Sequence, residues 1–278
     1  MNKVWFITGS SRGLGRSITM AVLAKGDFVA ATARNPQQLN DLVEQYGDHI
    51  MPVQLDVTDY KQVYKAVEDT IARFGRIDVL VNNAGFGIMG AAEAFTEEQV
   101  RSQFETNLYA PVEITRAVLP YMRKQRSGRI LQVSSVGGRI TSIGLSMYQS
   151  AKWGLSGFSE ALAKEVAPLG IKVTSVEPGG FRTDWGGDSM SYAEQIEGYE
   201  STVDSRSEMY KNKQFIPKGN PDKAAKVLVE LTDHPEPPIH LVLGSDATSL
   251  LQQVDAIRRD ELEKWLTVSN STDGDDTK

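Results

Sequence analysis

The sequence predicts a Rossmann-type, doubly wound α/β fold, with a mostly parallel sheet of seven strands and helices on both faces. Three observations carry this. Seven short apolar runs alternate with stretches whose apolar residues recur at helical spacing, the pattern of strands joined by helical crossovers. The first run passes directly into a glycine-rich turn and then a helical pattern, a strand–turn–helix order. No internal repeat or linker divides the 278 residues, a length that α/β folds often reach in one domain.

The elements follow in order. Strands are expected at residues 4–7, 28–32, 51–55, 79–81, 129–133, 172–176 and 239–243. Helices are expected near 14–25 (a helical pattern through Ile18, Ala21, Val22 and Ala24), 36–46, 59–74, 96–126, 148–166 and 221–231. Two helix starts carry local signals. Thr96-Glu97-Glu98-Gln99 reads as a capping box, and Asn220-Pro221 joins a good N-cap to proline in the first turn. Residues 181–217 read as a long irregular segment, and long loops in compact domains are often functional lids. Residues 247–267 read as a further helix, with Leu250, Leu251, Val254, Ile257, Leu262 and Leu266 at helical spacing. Residues 1–268 are thus read as one domain, followed by a disordered tail at 269–278, which is small and polar.

Composition narrows the function. The absence of cysteine excludes a disulfide framework, a thiol nucleophile and a zinc–thiolate site, and His49, His234 and His240 form no ligand cluster in sequence. A net charge of −6 argues against nucleic acid or an anionic membrane as the main partner. The first strand starts so early that no signal or transit peptide is expected. No apolar run approaches the about 20 residues that span a bilayer. A cytoplasmic location is the expectation.

The chemistry is carried by Tyr148, Lys152 four residues on, and Ser135 thirteen residues before the tyrosine. Positions four apart share a helical face. A phenol has a pKa of about 10, and a neighbouring ammonium is expected to lower it toward the range useful for proton transfer. Ser135 ends a run read as a buried strand, where its hydroxyl could hold a carbonyl oxygen. The tyrosine–lysine spacing alone is weak, since an exposed tyrosine and a solvated lysine are its ordinary meaning. The turn Thr8-Gly9-Ser10-Ser11-Arg12-Gly13-Leu14-Gly15 adds weight. Its glycines allow close approach to a pyrophosphate, and the helix N-terminus offers free N–H groups and a positive dipole end.

Together these motifs resemble the short-chain dehydrogenase/reductase family: TGxxxGxG (Thr8, Gly9, Gly13, Gly15), then Asn82-Asn83-Ala84-Gly85, Asn107, Ser135, Tyr148, Lys152, and Pro178-Gly179 with Thr183. The resemblance is to the single-domain branch that includes ketoreductases and hydroxysteroid dehydrogenases, and it covers about residues 1–245. It implies hydride transfer between a nicotinamide cofactor and a carbonyl or alcohol. By resemblance, Ser135 binds the carbonyl oxygen, Tyr148 moves the proton, Lys152 tunes Tyr148 and holds the nicotinamide ribose, and Asn107 bends its helix and holds a water beside Lys152. Alone, Asn107 would read as a surface asparagine. Ser11, Leu14, Val57, Asn83, Ala84 and Gly85 belong to the implied cofactor wall. Thr183 would orient the carboxamide.

In NAD-preferring relatives an acid near the end of the second strand holds the ribose 2′-hydroxyl. Here the strand ends Thr32-Ala33-Arg34, with Arg12 in the glycine loop. Two guanidinium groups suit a 2′-phosphate, so NADP(H) is expected over NAD(H). Asp56 matches the position that contacts adenine, and it can also cap the next turn. Trp185, Met190, Tyr192, Tyr199, Met209, Tyr210 and Phe215 in the lid, with Phe86, Ile88, Met89, Ile143, Leu145 and Met147, suit a bulky apolar carbonyl; a small polar one stays open. The family often forms homodimers or homotetramers, through the helices near 96–126 and 148–166. Two other readings remain: an epimerase- or lyase-like enzyme on the same fold, and a non-enzymatic NADP(H) sensor.

Overall fold

The computed structural model describes residues 2–183, 185, 189–212, 214 and 216–274. Phe215 of the expected lid and residues 275–278 of the expected tail lie outside these.

The chain opens with β1 (Val4–Ile7), α1 (Gly13–Ala24), β2 (Phe28–Ala33), α2 (Asn40–Tyr46), β3 (Ile50–Gln54), α3 (Tyr60–Phe74), β4 (Val79–Asn82) and β5 (Gly87–Met89). It continues through α4 (Glu97–Phe104), α5 (Ala110–Gln125), β6 (Gly128–Val133), α6 (Ser146–Val166), β7 (Ile171–Pro178) and β8 (Met190–Tyr192). It closes with α7 (Ser205–Lys211), α8 (Pro221–Leu231), β9 (His240–Leu243) and α9 (Ser245–Asn270).

Seven strands form one parallel sheet in the order β3-β2-β1-β4-β6-β7-β9. These are the seven expected strands, each within two residues of its expected ends. The sheet is buried on both faces. Trp5, Ile7, Val29, Val81 and Leu131 pack against Val22 and Leu228 on one side. Phe6, Ala30, Leu80 and Ile130 pack against Val67, Ile114, Val118 and Leu162 on the other. Alternate strand residues therefore enter opposite cores. The winding reverses between β1 and β4, and ligands of such sheets bind outside the strand C-termini at that point.

Both expected caps form. Thr96 and Gln99 make the reciprocal capping box of α4, and Asn220 accepts from Asp222 N and Lys223 N at the start of α8.

Several elements depart from expectation. The helix expected over 96–126 is two helices joined by a π-helical turn, Glu105–Tyr109. The stretch 36–46 begins as a 3-10 turn, Pro36–Leu39. The segment 181–217 is not wholly irregular: β8 pairs in parallel with β5, and a π turn at Glu200–Asp204 leads into α7. α9 continues to Asn270, so the start of the expected tail is helical. No helix among the described residues is long and apolar enough to cross a membrane.

Candidate active site

The glycine-rich turn is shaped by close approach. Gly9 and Gly13 have φ of +68° and +55°, the left-handed region that favours glycine. A Cβ on Gly15 would stand 2.3 Å from both Asn83 Nδ2 and the Gly9 carbonyl oxygen. Asn83 fastens the turn, donating from Nδ2 to Thr8 O at 2.9 Å and Gly9 O at 3.2 Å. In return, the Asn83 and Ala84 N–H groups donate to Thr8 Oγ1 at 2.9 and 3.0 Å. The end of β4 thus locks the turn after β1.

α1 then begins at Gly13 without a side-chain cap and without an acid in its first turn. Its first N–H groups and its positive dipole end are left to a ligand. The helix start opens onto a cleft of about 1310 Å³. That cleft is lined by Gly9, Ser11, Arg12, Gly13, Leu14, Arg34, Asp56, Val57, Asn83, Ala84, Gly85, Asn107, Ser135, Tyr148, Lys152, Pro178, Gly179 and Thr183. Of the expected site residues, only Thr8 and Gly15 lie behind its wall, both buried. Gly13 and Thr183 meet across the cleft, since a Cβ on Gly13 would stand 3.5 Å from Thr183 Cβ.

Of the lining residues, Arg12 and Arg34 are exposed. Among the described residues neither has a carboxylate within 4.0 Å. Asp56 forms the local turn, its Oδ1 accepting from Thr58 N at 3.0 Å and Thr58 Oγ1 at 2.7 Å. Partial burial pushes its carboxyl up, but the Thr58 hydrogen bonds and the Arg34 charge outweigh that and hold it below its ordinary value.

Tyr148 and Lys152 lie in the first turns of α6, with 5% and 4% of their surfaces exposed. Ser135 stands two residues beyond the end of β6 rather than within it, and its Oγ accepts from Gly137 N at 3.0 Å. The Tyr148 phenol is pushed up to about 12 by burial, against a hydrogen bond from Ser135 that pulls it down. This is opposite to the expected lowering. The reason is orientation and desolvation: Lys152 Nζ donates to Val133 O at 2.8 Å and stands 5.9 Å from the centre of the tyrosine ring. Burial likewise lowers Lys152 to about 7.

Asn107 is fully buried, not a surface residue. The π turn carries it inward, where Nδ2 donates to Phe86 O and Gln103 O at 3.0 and 3.1 Å. Its Oδ1 is buried without a partner. The space beside Gly85 lies between this oxygen and the lysine: a Cβ there would stand 2.8 Å from Asn107 Oδ1 and 3.7 Å from Lys152 Nζ.

Beside the tyrosine, the Trp185 ring lies tilted at 5.2 Å between ring centres. Met89, Leu145 and Met190 complete an apolar cluster around Tyr148, with Tyr192 and Tyr210 packed on it. The sequence reading passed over Arg206 and Asp246, which also line the cleft. Asp246 Oδ2 accepts from Gly180 N at 2.8 Å. An acid in the first turn of a helix following a strand was the available signal for it.

A parallel sheet with an uncapped glycine-turn helix start, and with Ser135 and the buried Tyr148 and Lys152 in the same cleft, defines a class of Rossmann-type enzyme folds. The chain belongs to the short-chain dehydrogenase family of oxidoreductases, whose family pattern, described as "short chain dehydrogenase", matches residues 3–192. It is 46% identical over 270 residues to oxidoreductase BOA17 of Botryotinia fuckeliana, covering 97% of this chain and 98% of that one. A crystal structure of a short-chain dehydrogenase from Streptomyces avermitilis superposes with a TM-score of 0.93 at 41% identity, covering 99% of this chain and all of that one. An alcohol dehydrogenase from the archaeon Thermococcus sibiricus, complexed with 5-hydroxy-NADP, superposes with a TM-score of 0.71 at 25% identity, covering 87% and 96% of the two chains.

Proposed function

We propose that this protein is an NADP(H)-dependent oxidoreductase that interconverts a carbonyl and an alcohol, with Tyr148 as general acid and base. The observation that carries the reading is the single cleft that joins the uncapped start of α1 to Ser135 and the buried Tyr148 and Lys152. The residues fit the dinucleotide. The α1 N-terminus and the glycine turn would take the pyrophosphate, Arg12 and Arg34 a 2′-phosphate, and Asp56 with Val57 the adenine. Asn83, Ala84 and Gly85 would form the wall behind the ribose. Lys152 would hold the nicotinamide ribose, with Pro178, Gly179 and Thr183 against the nicotinamide end. When bound, the nicotinamide supplies or accepts a hydride.

This chain's own residues do the rest. Ser135 donates to the substrate oxygen, and Tyr148 delivers a proton to it as negative charge develops there. Turning the Lys152 ammonium from Val133 O toward the tyrosine would lower the phenol from about 12. The unpartnered Asn107 Oδ1 suits a water in the space by Gly85, a route for reloading the proton. Trp185, Met190 and Tyr210 over the tyrosine favour a bulky apolar substrate.

A homodimer or homotetramer in the cytoplasm belongs to the same proposal. Ile257, Leu262, Trp265 and Leu266 of α9 are exposed, and light scattering of the purified protein reads the assembly directly.

The test is NADPH and NADH oxidation by the purified protein, followed by loss of the reduced nicotinamide absorbance, across aromatic, aliphatic, steroidal and sugar carbonyls. Turnover with NADPH that disappears in Tyr148→Phe is the expected result. NADPH binding without turnover on any of them would favour an epimerase-like enzyme or a sensor.

A further inference from the structure

The substrate end of the cleft contains a charged side chain for which hydride transfer has no use. Arg206 on α7 lines the cleft beside Trp185, Met190 and Tyr210. Its guanidinium carbon stands 5.5 Å from the centre of the Tyr210 ring, one helical turn on, and Tyr210 packs on the apolar cluster around Tyr148. The cation is therefore one aromatic ring removed from the reacting end.

Arg206 is half-buried. A guanidinium is permanently charged and offers five N–H donors. Among the described residues no carboxylate lies within 4.0 Å of it and no oxygen accepts a hydrogen bond from it. The ring of Tyr210 satisfies one face of the cation and leaves the N–H fork unmet. The other charges in the cleft are placed differently. Arg34 lies near Asp56, Arg12 belongs to the glycine turn just before α1, Lys152 donates to Val133 O, and Asp246 accepts from Gly180 N.

An unmet guanidinium fork on an apolar wall fits a planar oxyanion, which it can bind bidentately. Resting on the carbonyl-reductase reading, we propose that Arg206 binds an oxyanion, in the first instance a carboxylate, carried by the substrate. The substrates are apolar oxo acids: the carboxylate pairs with Arg206, the apolar body packs under Trp185 and Met190, and the carbonyl reaches Ser135 and Tyr148. Arg206 is then a specificity residue and takes no part in proton transfer.

The experiment uses benzoyl-alkanoic acids of increasing chain length and their methyl esters on the full-length, NADPH-loaded protein. Binding is read by calorimetry with the oxidised cofactor, and kcat/KM is read by NADPH oxidation. At one chain length the acid should be favoured over its ester by roughly tenfold or more, mainly through KM, as a charge-assisted hydrogen-bonded pair would give. Arg206→Leu should bring that ratio to about one, and Arg206→Lys should restore part of it. A wild-type ratio near one in both binding and kcat/KM, or a ratio unchanged in Arg206→Leu, overturns the proposal. The two readings fail separately. Acid-selective, Arg206-dependent binding without turnover would overturn the reductase and keep the oxyanion site. Turnover of both, with equal binding and equal kcat/KM for acid and ester, would do the reverse.

Discussion

Lys152 donates its ammonium hydrogen to the carbonyl oxygen of Val133, at 2.8 Å, across the end of β6. The bond anchors a buried cation by backbone rather than by a carboxylate, and burial lowers the lysine to about 7 from an ordinary 10.5. The sign of the effect on stability follows. The folded protein penalises the charged form, so the penalty is full below about pH 7 and is relieved as the pH rises toward 10.5. Lys152→Met removes it. The melting temperature of Lys152→Met minus that of the wild type should therefore fall as the pH is raised through this window. A difference that stays constant or grows would contradict the burial argument.

Tyr148→Phe removes the proton donor and leaves the packing under Trp185 in place. Turnover should drop by roughly 10²–10⁴-fold, the range for general acid catalysis. NADPH affinity, measured by fluorescence titration, should stay within a few-fold. Loss of binding instead would mean that the hydroxyl serves the cofactor rather than the substrate.

Arg34 lies past the end of β2, exposed and close enough to Asp56 to lower that carboxyl. Arg34→Asp exchanges a phosphate partner for an acceptor of ribose hydroxyls. The NADPH-to-NADH ratio of kcat/KM should shift toward NADH by at least about tenfold, the size of one lost charge-assisted contact. An unchanged ratio would refute the assignment of the 2′-phosphate to this edge.

Two glycines should respond in opposite directions to alanine. At Gly15 the new Cβ would meet Asn83 Nδ2 and Gly9 O at 2.3 Å. The turn must then shift, with a loss of about 1–3 kcal/mol and weakened NADPH binding. At Gly157, on the exposed face of α6, a Cβ meets nothing within 4 Å, and alanine should stabilise the helix by about 0.5–1 kcal/mol. Chemical denaturation of the two variants checks both signs.

The fold was legible because the inner strands of the main sheet, such as β1, β4 and β6, are short apolar runs buried on both faces, each set off from the helical pattern around it. β5 and β8 were not legible. Gly87-Ile88-Met89 and Met190-Ser191-Tyr192 are too short to show a period, and they pair only because the segment after β7 folds back over the cleft. The positions of Tyr148, Lys152 and Ser135 could be read from spacing, but the direction of the Lys152 side chain could not. Spacing gives a shared helical face, while the rotamer answers to Val133 O. Asn107 is a similar case. Its inward turn depends on the π-helical Glu105–Tyr109, and nothing in that five-residue stretch distinguishes it from ordinary helix.

Trp185 offers the most direct test of the lid. Its ring lies 5.2 Å from that of Tyr148, tilted by 54°, and it borders β5, since a Cβ on Gly87 would stand 3.2 Å from Trp185 Cζ2. The side chain thus covers the space between the proton donor and β5. Trp185→Ala should open that space. Turnover of large ketones should rise relative to small ones, and KM for the carbonyl should change by more than the affinity for NADPH. The comparison is made on one variant, with ketones of graded size and a cofactor titration. If NADPH affinity falls as far as the carbonyl KM rises, Trp185 belongs to the cofactor wall, and the segment from β7 to α8 is not a substrate lid.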